Sequence, residues 1–464
     1  MLCVTSRTRK RLAGAALALA LAASPSARAQ DDLALTLPQA RALAVHALNT
    51  GDAPLALRLT GGLLQANSDD MTAHYLRAAA YARMNRPHEG RRSAARAYRH
   101  AKTREDKLRS SQLAAQLAYA EDRPSLAQIW LRRSAIHTAT QREQDLLARD
   151  YRILRQRNPW SFSLRGEIRP SNNVNNGADS ARNIIDGIPD FGFLPAAAQA
   201  LSGKIGTVDA VAGYRLRQSE TSQTTLSGRL YIQRVSLSSA SQARVPQLTN
   251  SDFGSTYAEA SLEHRFKAGD GAAGVQFSLG ESWYGGDRNF RLARLGGDRF
   301  WRVGESSQLI VNGFAETRFA SRTLTNDGTS FGMGATYRHQ LGTGDTLSLS
   351  LQLRDTEATA PNGTFQTASL RAGYDFGRAF GPMRISTALQ VGQTEYDAYR
   401  ASLFIPATAR SDTSVTGDVT LFFEDYDYAG FAPTVRISAG RRSSNFSMFS
   451  SSEFSVSLGI RSKF

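Results

Sequence analysis

Cysteine is almost missing from this chain: of 464 residues one, Cys3, is a cysteine. It falls inside the N-terminal segment discussed next, so the rest of the chain has no disulfide, no reactive thiol and no cysteine-ligated metal. Long apolar runs are missing too. The longest, LAGAALALALAAS, follows Arg7, Arg9, Lys10 and Arg11 and is about a dozen residues, whereas a membrane-crossing helix needs roughly 20. Together with Ala27-Arg28-Ala29 it reads as a secretory signal peptide, residues 1–29, cleaved before Gln30. Cys3 lies far from that cleavage site and so is not an acylated N-terminus. Histidine is sparse: His46, His74, His88, His100, His137, His264 and His339 show no metal-ligand spacing, and no metal or cofactor is expected. Serine is too common to single out a nucleophile, and no base is paired with one, so the chain does not read as an enzyme.

Charge is lopsided. The formal net charge is +15; the signal segment carries Arg7, Arg9, Lys10, Arg11 and Arg28 without a carboxylate, which leaves about +10, most of it before residue 158. An exported protein rarely meets nucleic acid, so the excess is not read as a nucleic-acid surface. It marks two regions of different composition instead.

Glycine is scarce from Leu37 to Arg157, where Ala, Leu, Arg and Gln dominate. Apolar residues there recur at helical spacing, as in Ala40, Leu43, Ala44 and Ala47. Pro54, Pro87 and Pro124 sit in GDAPLAL, MNRPHEG and EDRPSLA, separated by 33 and 37 residues, each where the first turn of a helix tolerates a missing N–H. Small residues such as Ala73, Ala80, Ala94 and Ala97 fall where paired helices approach closely. A period near 34 resembles the tetratricopeptide repeat, about three helical hairpins over residues 30–157. Arg91, Arg92, Arg96 and Arg99 are candidates for an arginine-rich concave face that meets an acidic partner.

At NPWSFSLRGEIRPSNNVNNG the period changes from 3.6 to two. Trp160, Phe162, Leu164 and Ile168 alternate with polar residues, as do Leu347, Leu349, Leu351 and Leu353 further on. The alternating runs are ten or more residues, the length of a tilted membrane strand, where soluble strands average about five or six. Short connections at Lys267, Val303, Leu341 and Gly377 are expected to interleave with long ones around 170–203, 239–251, 321–328, 396–410 and 442–450, short on the periplasmic side and long outside. Aromatic residues gather at strand ends, where membrane interfaces favour them. The expected fold class is therefore α plus transmembrane β: repeats at 30–157, then a barrel of about 14 antiparallel strands at 158–464. The least regular strand is FRLARLGGDRFWRV at Phe290, broken by two glycines.

Charged residues fall on one parity. Arg165, Glu167, Glu259, Glu263, Arg265, Glu316, Arg318, Arg338, Arg354, Arg371, Asp375, Arg436 and Arg461 are expected to line the lumen, because on the lipid face each basic one costs roughly 2–4 kcal/mol at the midplane. His264 and His339 fall on the lipid-facing parity near strand ends. Glu424, Asp425 and Asp427 in FFEDYDYAG lack the glycine-spaced loop of a calcium site and read as a periplasmic turn. SNNVNNG opens the first outer loop. The last strand alternates Phe454, Val456, Leu458 and Ile460 with polar residues and ends on Phe464, which resembles the tag read by the barrel assembly machinery.

The junction NPW with NNVNN, and the ending GFAPTVRISAGRRSSNFSMFSSSEFSVSLGIRSKF with Pro433, Arg441-Arg442-Ser443-Ser444-Asn445 and Phe464, resemble the surface lipoprotein assembly modulator (Slam) family, the outer-membrane component of type XI secretion. The resemblance implies an outer-membrane translocator whose repeats receive a client protein, lipidated or soluble and often concerned with iron or haem capture, and whose barrel is the passage. It implies as partners that client, the assembly machinery and outer-membrane lipid. A polysaccharide exporter and a diffusion porin with an accessory domain share parts of this architecture and are the alternatives.

Overall fold

The computed structural model describes residues 35–188, 192–321, 327–400 and 407–462. The signal segment and Phe464 lie outside the described residues. Seven helices come first: α1 Leu37–Thr50, α2 Ala53–Ala66, α3 Met71–Arg83, α4 Pro87–His100, α5 Arg104–Ala120, α6 Pro124–Ala135 and α7 Gln141–Arg157. Thr36, Asp52, Asp70, Thr103 and Thr140 cap five of them through side-chain oxygens, satisfying N–H groups that the helix itself leaves unpaired. Helices α4 and α6 have no such cap and begin on Pro87 and Pro124 instead. The turns before them pass through Asn85 and Asp122 with positive φ, a conformation these two residue types tolerate. Ala73, Ala80, Ala94 and Ala97 are fully buried, so the helices close to alanine-to-alanine distance. Three antiparallel hairpins in tetratricopeptide-like succession result, with α7 against the last. α1 touches α3 and α3 touches α5, which makes the odd-numbered helices the inner layer of the stack.

His74 of α3 is buried; its Nε2 donates to the Ser68 carbonyl at 2.9 Å and its ring stacks on His100. Burial first, then the positive charges of His100, Arg96 and Arg77, hold its pKa below the ordinary imidazole value of 6.5, against the pull of the Ser68 carbonyl. The folded helices therefore keep His74 neutral where the unfolded chain would protonate it. Stability contributed this way is complete above about pH 6.5 and is lost as pH falls toward the lower folded pKa. His137, also lowered by burial, acts in the same direction. The helical segment of the full chain is expected to melt several degrees lower at pH 5 than at pH 7, and His74→Gln to flatten that dependence, as followed by thermal circular dichroism at 222 nm.

Fourteen strands follow: β1 Trp160–Ser171, β2 Gly203–Gln218, β3 Ser222–Leu237, β4 Ser255–Ala268, β5 Gly271–Tyr284, β6 Asp287–Val303, β7 Ser307–Ala320, β8 Gly328–Gln340, β9 Thr346–Ala358, β10 Phe365–Asp375, β11 Arg384–Tyr399, β12 Thr408–Phe422, β13 Phe431–Ser444 and β14 Ser451–Ser462. Each pairs antiparallel with the next, and β14 with β1, so the sheet closes. Closure is what hydrocarbon demands, since an open edge there leaves backbone groups unpaired at several kcal/mol each. The irregular β6 is a full strand of 17 residues; Gly296 and Gly297 interrupt its side-chain pattern but not its pairing with β5 and β7.

The connections depart from strict short-inside, long-outside alternation. Gly285 and Gly286, both at positive φ, turn β5 into β6 at the outer end in two residues. The expected outer loops at 396–410 and 442–450 are trimmed by strand at 396–399, 408–410 and 442–444, and the inner connections 376–383 and 423–430 are as long as the outer ones beside them. Most of the outer bulk comes from 172–202 and 238–254, which holds the short helix α8 Ser239–Arg244. These two pack a small core of Val174, Leu201, Ile205, Val235, Val245 and Phe253. The asparagines of SNNVNNG stitch the first of them: Asn173 exchanges two hydrogen bonds with Gly177, and Asn175 donates to Ala197 and Gln199 carbonyls while accepting from Leu201 N–H. Asp179 then ties that loop across the barrel seam by accepting from Ser452 N–H and Oγ–H.

Candidate functional site

The concave side of the barrel identifies itself by contacts that skip a strand. Arg354 on β9 reaches Glu316 on β7 at 3.2 Å, and Arg371 on β10 reaches Asp418 on β12 at 2.8 Å; side chains two strands apart can meet only inside the curve. Following the register from these residues, Arg165, Glu167, Glu259, Glu263, Arg265, Arg318, Arg338, Asp375, Arg436 and Arg461 share that face. The opposite parity carries Leu347, Leu349, Leu351, Leu353, Phe331, Met333, Phe454, Leu458 and Ile460, all exposed. His264 and His339 lie on that outer parity, hydrogen-bonded to Thr224 and Ser307.

The interior charges are paired rather than scattered. Arg229 bonds Asp209 at 2.9 Å, Arg265 bridges Glu263 and Asp298, Arg436 reaches Asp418 at 3.1 Å, and Arg169 pairs with Glu453. Arg461 stacks over Phe422 at 4.3 Å. Glu316 is the centre of the densest group: its side chain is 1 % exposed and is met by Arg294, Arg318 and Arg354. Arg229, Arg294, Asp209, Asp298, Asp418 and Glu453 were not singled out from the sequence. Their signal was present in it as an opposite charge on the same parity of a neighbouring strand, but reading it requires the register. A cavity of about 560 Å³ between β1–β3 and β12–β14 is lined by Arg165, Glu167, Arg169, Asp209, Arg436 and Glu453 among others.

At the inner mouth the helices are joined to the barrel by a hydrogen-bonded corner. Asn158 is buried; its amide donates to Gln128 at 2.8 Å and Ser125 at 3.1 Å, and its oxygen accepts the Trp160 N–H. Arg215 of β2 donates to the carbonyls of Gln156 and Asn158. Arg132 of α6 donates to the carbonyls of Ala429 and Gly430 and to Ser462 Oγ at the end of β14. A second cavity, about 640 Å³, lies between α7 and the inner connections, with Arg152 and Arg155 on one wall and Glu424, Asp425 and Asp427 on the other. Glu424 pairs with Arg384. Among the described residues no group of three or more His, Cys, Asp or Glu is arranged to hold a metal ion.

The four arginines of α4 do not act as a set. Arg91 is half-buried and donates from Nε to both carboxylate oxygens of Glu121 at 3.0 Å, so it staples two hairpins. Arg92, Arg96 and Arg99 form an exposed stripe. All four lie on an even-numbered helix, in the outer layer of the stack, and not on a concave face.

A closed fourteen-stranded barrel with an apolar outside, a paired-charge inside and helical repeats at its inner mouth defines the class: an outer-membrane barrel protein with a tetratricopeptide-like domain. The chain belongs to the surface lipoprotein assembly modifier family, whose sequence pattern matches residues 160–464. No match was found among curated protein sequences. Among solved structures, the outer-membrane protein OmpT of Vibrio cholerae lacking loop L8 is 10% identical, covering 66% of this chain and 99% of its own with a TM-score of 0.33. OccAB4 of Acinetobacter baumannii is 10% identical over 65% and 97%, with a TM-score of 0.32. The TPR2B domain of yeast Sti1 is 17% identical over 26% and 98%, with a TM-score of 0.24.

Proposed function

We propose that the protein exports client proteins from the periplasm to the cell surface, the helical repeats receiving the client and the barrel interior providing its path. The observation that carries this reading is the corner at Asn158, Arg215 and Arg132, which holds the helical repeat stack at the inner end of a charged passage. An accessory domain on a diffusion pore has no need of such a fixed approach. Guanidinium and carboxylate groups that already satisfy one another suit a passage that must release its cargo. Family membership supports a lipoprotein client; a soluble client fits the same geometry. During biogenesis the outward side chains of β14, Phe454, Val456, Leu458 and Ile460, with Phe464 beyond them, are the segment offered to the barrel assembly machinery, and the outer face then meets lipid.

The test is deletion of the gene followed by comparison of the surface and culture-medium proteomes. Loss of one or two specific exported proteins, restored by the plasmid-borne gene, is the expected result. An unchanged profile refutes the reading, and strong small-solute conductance alongside it would make the barrel a porin.

A further inference from the structure

The glycines of the barrel wall divide by the face they are on. On the lipid side, nothing stands closer than 3.5 Å to where a Cβ of Gly166, Gly206, Gly297, Gly313 or Gly417 would be. On the lumen side, side chains of neighbouring strands lie across the glycines instead. Phe314 of β7 stands between two of them, opposite Gly296 of β6 on one side and opposite Gly332 of β8 on the other. Its ring leans onto Gly332 and fills the space that a methyl group there would take, while Gly296 keeps open room, with nothing nearer than 3.6 Å. Gln352 of β9 lies over Gly334, directly opposite it. Tyr257 of β4 leans diagonally over Gly280 of β5, its Oη 2.6 Å from where a Cβ would stand, and donates to Glu259 at 2.5 Å. A glycine inside a strand marks a place where another group approaches closely; in this barrel that group is a long side chain laid along the wall.

Where these side chains lie matters because the cross-section is small. Fourteen strands, about 4.8 Å apart and tilted about 40°, enclose a backbone cylinder roughly 28 Å across. Side chains from both walls occupy much of that width, and a helix with its own side chains needs about 10–12 Å. A ring that stands toward the axis takes up its full length of the remainder, whereas a ring lying on glycine takes up its thickness. The level of Phe314 is crowded already: Arg294 and Arg354 lie over the ring at 5.2 and 5.9 Å and meet at Glu316, which is 1% exposed. With both flanking glycines filled, the ring has the lumen to enter. The other half of the wall, β10 to β14, turns Ser369, Gly392, Thr416, Ser438 and Ser457 inward, with Arg371 and Arg436 paired to Asp418 among them.

We propose that Gly280, Gly296 and Gly332 are positioning residues of the passage: they let Tyr257 and Phe314 lie flat on the β4–β9 wall, and so keep clear the space toward β10–β14 through which an extended polypeptide passes. The inference rests on the export reading above and says where in the barrel the client has room. An ion or a small solute is indifferent to the stance of one ring. A polypeptide carries side chains on both sides of its backbone and fills the cross-section, so it is not. Serine, threonine and glycine on the facing wall, with charges that satisfy one another, give a moving chain short-lived polar contacts and no apolar surface to settle on. The two glycines that break the alternation of FRLARLGGDRFWRV take different parts: Gly296 flanks Phe314 in the lumen, and Gly297 faces lipid.

The test uses the full-length protein, with the proteins lost from the surface on gene deletion as the probes in cells. Gly296→Ala together with Gly332→Ala is expected to lower their export at least fivefold while heat-modifiable mobility of the barrel is unchanged. Adding Phe314→Ala to that pair removes the displaced ring and is expected to restore export to within twofold, which a merely structural role of the glycines would not bring about. In the purified protein, 4-fluorophenylalanine in place of Phe314 reports the ring itself: relaxation of its fluorine signal by a small water-soluble nitroxide is expected to rise at least threefold when both glycines become alanine. Wild-type export by the paired variant, a defect that persists after Phe314→Ala is added, or an unchanged fluorine relaxation each overturn the proposal. Should the paired variant fail to assemble, Gly280→Ala with and without Tyr257→Ala decides by the same export readings. A deletion strain with an unchanged proteome removes the export reading itself, a distinct result from a deletion phenotype that the glycine variants leave untouched.

Discussion

Glu316→Ala is expected to destabilise the barrel by about 3–5 kcal/mol, the usual cost of removing one partner from a buried ionic group. The carboxylate is 1% exposed and meets three guanidinium groups, Arg294, Arg318 at 3.4 Å and Arg354 at 3.2 Å. Its loss leaves three like charges facing one another. Part of their surroundings is neutral and cannot compensate: Phe314 lies under Arg294 and Arg354, and Phe290 under Arg318. Arg354 retains Ser330 and Thr356 as hydrogen-bond partners, which limits the loss, and Glu316→Gln keeps an acceptor and is expected to fall between. Glu263→Ala is the contrast, since its partner Arg265 is half-exposed and also holds Asp298. That change belongs with solvent-screened pairs and should cost no more than about 1 kcal/mol. Urea titration of the purified barrel, read by the shift between folded and unfolded mobility, separates the two. In planar bilayers Glu316→Ala should also move the reversal potential toward anion preference, because it removes a negative charge from the interior. Equal effects of the two alanine variants would mean that water screens Glu316 as well, and that the interior is open at that level.

What the sequence could reveal followed from periodicity. The switch at Pro159 from Leu and Ala at helical spacing to Trp160, Phe162 and Leu164 at a spacing of two marks the change of solvent from water to lipid, and lipid enforces the alternation strictly. The strand at Phe290 was readable despite Gly296 and Gly297, since a glycine removes a side chain but not a ladder bond. Charge parity likewise put Glu316, Arg318 and Arg354 on one face. Their convergence on one carboxylate depends on which residue stands opposite which, and register is set by turns and bulges such as the one between Ser282 and Trp283, not by hydropathy. The same limit explains Arg91. Helical spacing groups it with Arg92, Arg96 and Arg99, but Glu121 lies 30 residues away on the next hairpin. Loop lengths misled where Gly285 and Gly286 make a two-residue outer turn, since positive φ at both positions lets glycine close a hairpin that other residues would need more chain to close.

Arg132→Ala is expected to release the helical repeats from the barrel without unfolding either. The Arg132 guanidinium donates to Ala429 O at 3.3 Å, Gly430 O at 3.5 Å, Ser462 Oγ at 3.1 Å and Tyr151 Oη at 2.9 Å, and lies over the rings of Phe431 at 4.8 Å and Tyr151 at 5.0 Å. Ala429 and Gly430 both have positive φ, so the connection holds an unfavourable alanine conformation while turning its carbonyls to the arginine. A hydrogen bond to a charged group contributes about 1.5–3 kcal/mol, and a partly exposed cation–π contact about 0.5–1 kcal/mol. The docked arrangement should therefore weaken by about 3 kcal/mol, roughly a hundredfold in population. Alanine is the best helix former, so α6 itself should persist and circular dichroism stay unchanged. Hydrogen exchange is expected to quicken at Ala429 and Gly430, and protease to cut faster between Ile136 and Thr140. Arg132→Lys should recover little, because an ammonium cannot span two carbonyls, a serine and two rings as the planar guanidinium does. If the repeats hand the client to the barrel, export must fall along with docking, since Ile129 and Arg132 wall the cavity between the helices and β1. Loss of docking with undiminished export would instead confine the repeats to capture and leave delivery to diffusion.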